Sequence, residues 1–153
     1  MGNKINIVLP IAGLGQRFID GGYETPKPLI EIEGKHLIEK ALESVNFKNC
    51  NLFFIVRQEH VEEFGIDKIL KEKFGEDIHI TIDYTTEGAL STCLLIENHI
   101  DNNDPLVIFT PDCYFEPQFD PEEVDDKYDG MVVVFNSNSP AHSYVILDDS
   151  NNV

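Results

Sequence analysis

A three-layer α/β/α sandwich around a mostly parallel sheet is the fold that this sequence predicts. Three observations carry the prediction. Short apolar runs at Ile5–Leu9, Asn51–Val56 and Leu106–Thr110 each read as a buried strand. Stretches with helical spacing or helix-favouring composition lie between these runs. Proline and glycine close the first run, and Pro111 closes the third. Strand, helix, strand, helix, strand in this order implies right-handed crossovers, parallel neighbours and helices on both faces.

Along the chain, residues 13–25 read as loop, punctuated by Gly13, Gly15, Gly21 and Gly22. Leu37, Ile38, Ala41, Leu42 and Val45 recur at helical spacing and predict an amphipathic helix. Gln58–Phe64 and Ile66–Phe74 are polar, helix-favouring stretches separated near Gly65. Ile78, Ile80 and Ile82 alternate with polar residues, the pattern of a half-exposed or edge strand. A helix is expected over Gly88–Asn98, entered through Thr86 and Glu87. Val132–Phe135 reads as a strand opened by Gly130, and Tyr144–Leu147 is a further apolar run.

With 153 residues the chain fits a single domain spanning 1–153, a size that buries roughly 70% of the unfolded surface. A hydrophobic content of 42% with ten phenylalanines argues for a packed core. No apolar run approaches the ~20 residues of a membrane span. The segment Ile5–Ala12 is too short for a signal-peptide core, so the expected location is cytoplasmic. Cys50, Cys93 and Cys113 are odd in number and widely spaced, which points to neither a disulfide frame nor a zinc site. Residues 1–75 hold ten of the eleven Lys/Arg and eleven acids; residues 76–153 hold one base and seventeen acids. Such a field repels nucleic acid and anionic membrane, so neither is an expected partner. A phosphate ligand must bind in the first half or arrive with a divalent metal.

The strongest local signal is Leu9-Pro-Ile-Ala-Gly-Leu-Gly-Gln-Arg-Phe18 followed by Thr25-Pro-Lys-Pro-Leu29. A buried strand runs into a glycine loop, and Arg17 and Lys27 follow it. Glycine lets main-chain N–H groups approach phosphate oxygens, and the two cations supply compensating charge. Phe18 stands where a dinucleotide fingerprint needs its third glycine, and no Gly-Lys-Ser/Thr run exists for a P-loop. Ligands of such sheets bind beyond the carboxyl ends of strands. That rule puts Gly13, Gly15 and Arg17, after Leu9, on one rim with Asp112, after Thr110.

Gly13-x-Gly15-x-Arg17-Phe18, Pro26-Lys27-Pro28-Leu29 and Ile30-Glu-Ile-Glu-Gly-Lys35 resemble the opening of the sugar-phosphate nucleotidylyltransferases. These enzymes make nucleotide sugars. Weaker matches follow at Glu87-Gly88-Ala89 and Phe109-Thr-Pro-Asp112. The resemblance implies a Rossmann-like sheet of the GT-A-like nucleotidyltransferase kind. It implies a Mg²⁺-dependent transfer of a nucleoside monophosphate from a nucleoside triphosphate to a sugar 1-phosphate, with pyrophosphate released. Cell-surface polysaccharide synthesis is the family-level setting. Arg17, Lys27 and Asp112 would be catalytic, with Asp112 holding the metal. Leu9, Ala12, Gly13, Leu14, Gly15, Gln16, Arg17, Thr86 and Gly88 would line the nucleotide, Thr86 also being placed to cap the following helix.

Three departures qualify the resemblance. Pro111 precedes Asp112 where the family has a small residue, and Tyr84, Thr85 and Thr86 replace a glutamine often found upstream of the glycine. Family members also continue past the equivalent of Val153, so a domain incomplete at its C-terminus is expected. Asp148 and Asp149 carry no motif that would supply the family's second metal carboxylate. A CTP-dependent phospho-alcohol cytidylyltransferase of the phosphocholine type, or a truncated nucleotide-binding domain without turnover, are the alternatives.

Overall fold

The computed structural model describes residues 4–46, 49–75, 78–116, 118–124, 127–150 and 152–153, with the side chains of 78 and 79 left aside. Its elements run β1 (Ile5–Pro10), α1 (Gln16–Asp20), β2 (Glu31–Ile32), β3 (Lys35–His36), α2 (Leu37–Leu42), β4 (Cys50–Arg57), α3 (Gln58–Phe64), α4 (Ile66–Phe74), β5 (Ile78–Ile82), α5 (Ala89–Cys93) and β6 (Leu106–Ile108). Short 3₁₀ turns cover Lys27–Leu29, Leu94–His99 and Pro121–Glu123.

Among the described residues, β5-β4-β1-β6 form one sheet and every pairing in it is parallel. β2 and β3 pair separately as a small antiparallel ribbon. Side chains alternate across a strand, so each central strand feeds two cores. Ile5, Ile7 and Leu9 of β1 and Leu52, Phe54 and Val56 of β4 pack with Ile38, Ala41 and Leu42 of α2 and Ile66 and Leu70 of α4. Val8, Phe53 and Ile55 face the other way, onto Cys93 of α5 and Ile96. Two buried faces are the reason that both central strands read as continuous apolar runs. The α/β, mostly parallel, Rossmann-like reading is the one observed.

One polar residue interrupts β1. Asn6 is fully buried; its amide donates to Asn102 Oδ1 at 2.8 Å and its carbonyl oxygen accepts from Asn51 Nδ2 at 3.1 Å. The helical segment after β4 splits where anticipated, because Gly65 takes φ 62° and ends one helix as it starts the next. α2 stops at Leu42, short of the expected Val45, because Val45 bridges to Phe119 and Phe119 N–H donates to the Ser44 carbonyl at 2.8 Å.

Other expectations need correcting. The loop over 13–25 contains α1, a single turn entered from Gly15 at φ 65°. The helix anticipated over Gly88–Asn98 is α5 followed by a 3₁₀ segment. Gly88, in extended backbone, is the residue at its N-cap position, so Thr86 is not the cap. Val132–Phe135 and Tyr144–Leu147 are not strands; their side chains are exposed and no described strand pairs with them. A strand needs a hydrogen-bonded neighbour as well as apolar residues, and neither run has one among the described residues.

The chain divides into two compact units, Met1–Glu123 and Val124–Val153. The second is held by local turns. Ser137 Oγ and His142 Nδ1 lie 2.7 Å apart, Tyr144 donates to the Ser139 carbonyl, and Asp148 accepts from the backbone of Ser150 and Asn152. Those N–H donors hold the Asp148 carboxyl below its ordinary range. No described helix is long and apolar enough to cross a membrane.

Phe54 has no exposed surface and its ring lies 5.7 Å from that of Phe74. Phe54→Ala is expected to cost about 3–5 kcal/mol in urea unfolding. A loss below about 1 kcal/mol would show that this core face closes without it.

Candidate active site

Parallel pairing of β1 with β4 and β6 brings the segments after Pro10, Arg57 and Ile108 to one end of the sheet. Among the sequence-predicted residues, Leu9 is buried within the first core and Ala12 packs in the second. Chain and side chains then emerge: Gly13, Leu14, Gln16 and Arg17 are exposed and Gly15 is half-buried. Gln16 donates to Asp20 one turn on. Gly15 must be glycine for its left-handed backbone, φ 65°. Gly13 is different: its φ lies outside the left-handed region, and a Cβ built there would meet nothing within 4 Å. Local packing gives no reason for glycine at position 13.

Lys27 is fixed by its neighbours. Pro26 and Pro28 restrict the backbone, Leu29 N–H donates to the Pro26 carbonyl at 2.8 Å, and Pro28 and Leu29 are buried. A Cβ on Gly15 would sit 3.5 Å from Lys27 Cβ, so the glycine loop lies against the lysine stem. The ammonium stands 5.6 Å from the centroid of the Phe18 ring, which itself packs edge-on to Tyr23.

Asp112 is held from the core outward. Phe109 is buried and its N–H donates to the Val8 carbonyl at 2.9 Å; Pro111 is also buried, and Asp112 N–H turns back to the Thr110 carbonyl at 2.8 Å. Lys27 Nζ and Asp112 Oδ2 are 3.5 Å apart. Their side chains are 30% and 55% exposed, and a pair so open to water contributes about 0–1 kcal/mol. Fold stability does not account for it. Desolvation and the Asp112 carboxylate raise the thiol of neighbouring Cys113, with Lys27 opposing. Arg17 shares the loop through α1 and makes no ion pair with the described residues.

Thr86 and Gly88 sit beyond β5, at the other edge. The Thr86 and Thr92 hydroxyls are 2.6 Å apart, and each reaches the Gly88 carbonyl, at 3.2 and 3.0 Å. A Cβ on Gly88 would meet nothing within 4 Å, so packing does not select that glycine either.

Sequence reasoning missed Arg57. This residue ends β4, is 8% exposed, and extends Nη1 to the Ala12 carbonyl (3.4 Å), the Tyr84 carbonyl (3.4 Å) and Thr85 Oγ1 (3.3 Å). Its Nε lies 3.9 Å from Glu59 Oε2 and has no hydrogen-bond partner despite burial. The signal available was a cation closing an apolar run, Val56-Arg57. His60, three residues on, is buried with Nδ1 unpartnered; burial, then the Arg57 charge, push it below the ordinary imidazole range, against Glu59.

Among the described residues no cluster of three His, Cys, Asp or Glu side chains could cage a metal. Asp112 offers a single hard, exposed carboxylate at this end of the sheet. That donor fits Mg²⁺, which retains waters and binds through one or two carboxylates plus substrate phosphates.

The profile of a family described as nucleotidyl transferase matches residues 6–146. A bifunctional protein GlmU of Methanocaldococcus jannaschii is 28% identical over 153 residues, covering 97% of this chain and 34% of that protein. A nucleoside-diphosphate-sugar pyrophosphorylase from Vibrio cholerae superposes with a TM-score of 0.59 at 24% identity, over 74% of this chain and 49% of the other. An inositol-1-phosphate CTP transferase from T. maritima does so at 0.60 and 20% identity, over 74% and 46%. Both structural likenesses concern the fold. The chain thus spans about a third of the curated relative (34%).

Two outcomes check this geometry. Gly15→Ala is expected to lose about 1–2 kcal/mol in urea unfolding through its left-handed backbone, and Gly13→Ala to stay within about 0.5 kcal/mol. Equal losses would contradict the distinction. The unfolded chain protonates His60 near pH 6.5 and the folded chain only lower, so the unfolded state holds more protons in that window. Stability therefore falls as pH drops through about 6.5, and His60→Leu should flatten that part of the profile.

Proposed function

The chain belongs to the nucleotidyl transferase family, and from that premise we propose that it transfers a nucleoside monophosphate from a nucleoside triphosphate to a sugar 1-phosphate, releasing pyrophosphate. The observation that carries the reading is the Lys27–Asp112 pair beside the glycine loop, a contact that adds little to stability. Gly13 and Gly88 support it, since a close-lying ligand explains glycines that packing does not require.

In this reading an oxygen of the sugar 1-phosphate attacks the α-phosphorus, and pyrophosphate departs in line. The protein acts by positioning and charge. Gly13 and Gly15 give the triphosphate access to main-chain N–H groups. Arg17 grips the β- and γ-phosphates as a planar fork. Lys27, held rigid by its prolines, places a point charge beside the α-phosphate and the incoming phosphate. Asp112 would hold Mg²⁺, which would supply charge neutralisation at the phosphate oxygens. Asp112, once engaged there rather than with Lys27, would leave the ammonium free for substrate. Thr86 and Gly88 line the nucleoside end.

A pyrophosphate-release screen of the four common nucleoside triphosphates against sugar 1-phosphates and phosphocholine tests the reading. Turnover with phosphocholine alone would move the acceptor to a phospho-alcohol. Stabilisation by nucleotide with no release from any pair would leave a binding domain. Lys27→Ala is expected to cut turnover by a factor on the order of 10²–10³ with an unchanged unfolding midpoint. Near-normal turnover would remove Lys27 from the mechanism.

A further inference from the structure

We propose that Arg57 is a positioning residue that sets the nucleoside end of the site, by tying the loop after β1 to the loop after β5. The inference rests on the nucleotide reading above. Its starting point is the strand order β5-β4-β1-β6. The charged groups Lys27 and Asp112 stand toward the β1–β6 side. Toward β5 the contacts are of another kind: the neutral hydroxyls of Thr85, Thr86 and Thr92 and the carbonyls of Tyr84 and Gly88. A polyphosphate belongs with the cations. An uncharged ring bearing donors and acceptors belongs with hydroxyls and carbonyls.

β4 lies between those two loops, and its last residue makes the connection. The Arg57 guanidinium bonds Ala12, which immediately precedes Gly13, on one side and Tyr84 and Thr85, which immediately precede Thr86, on the other. Burying a guanidinium is costly unless its donors are met, and here the Nε donor is not. An apolar strand end would avoid that cost. The terminal Nη1 of this long side chain reaches three acceptors on two loops from one rigid base; a lysine is one atom shorter and an apolar side chain has no donor. Fixing both loops to one another holds the cradle and the nucleoside-facing segment at a set separation. Arg57 touches neither reacting phosphate in this arrangement; it acts through the Ala12 and Tyr84 carbonyls and the Thr85 hydroxyl.

Binding of a nucleoside triphosphate and of inorganic tripolyphosphate, each with Mg²⁺, separates the two ends of the site. Arg57→Lys is expected to weaken the nucleoside triphosphate by about tenfold and tripolyphosphate by less than about twofold. Thr85→Val, an exposed loop change that removes a single acceptor, should weaken the nucleotide by about threefold and tripolyphosphate not at all. In turnover the loss should fall on KM with kcat nearly kept. Parallel loss of both ligands, or no loss of either, overturns the assignment. If Arg57→Lys does not fold, the Thr85→Val result decides in the same terms. A wild-type chain that binds neither ligand overturns the nucleotide reading itself, whereas wild-type binding with indifferent variants overturns only the role of Arg57.

Discussion

Parallel pairing of β1 on both of its edges is the constraint from which the site follows. Because β4 and β6 run alongside β1 in the same direction, three chain segments leave the sheet at one end. Each brings a different chemical capacity. The segment after β1 carries glycines, the residue ending β4 is a buried arginine, and the segment after β6 carries an anchored aspartate. In an antiparallel arrangement adjacent strands would deliver these groups to opposite ends. Burial on both faces keeps β1 and β4 in place, and the rigidity passes outward through Phe109, Leu29 and Ala12.

Stability and function divide cleanly along this axis. The first core joins three strands to α2 and α4 and supplies most of the large buried side chains. At the rim, contacts become open and weak: an exposed ion pair at 3.5 Å, arginine bonds of 3.3–3.4 Å, a buried Nε without a partner. Groups left under-satisfied by the protein remain free to change partner. Pro26 and Pro28 give Lys27 its fixed backbone without contributing a strong contact of their own to the site.

Much of this was legible in the sequence where the cause is local. Apolar runs named β1 and β4, Gly65 marked the break between α3 and α4, alternation at Ile78–Ile82 named an edge strand, and the glycine–arginine–lysine spacing placed the loop beside Lys27. The rest depends on partners remote in sequence. Val132–Phe135 has the composition of a strand, yet pairing is a property of two segments, and periodicity within one cannot supply it. Arg57 escaped notice because a single cation after an apolar run has no motif; its meaning comes from Ala12 and Tyr84, 45 and 27 residues away. The shortened α2 has the same origin, in a bridge from Val45 to Phe119.

Asn6 carries a consequence of another sort. An apolar strand can slide by two residues against its neighbour and still present the same face to the same core, so hydrophobicity alone leaves alignment degenerate. A wholly enclosed amide lifts that degeneracy. Asn6 lies opposite Asn51 in the observed register and is also met by Asn102, so any slipped alignment strands an unmet amide inside the protein. The amide thereby acts as an index mark, penalising misaligned assembly of β1 against β4, and with it any displacement of the rim above.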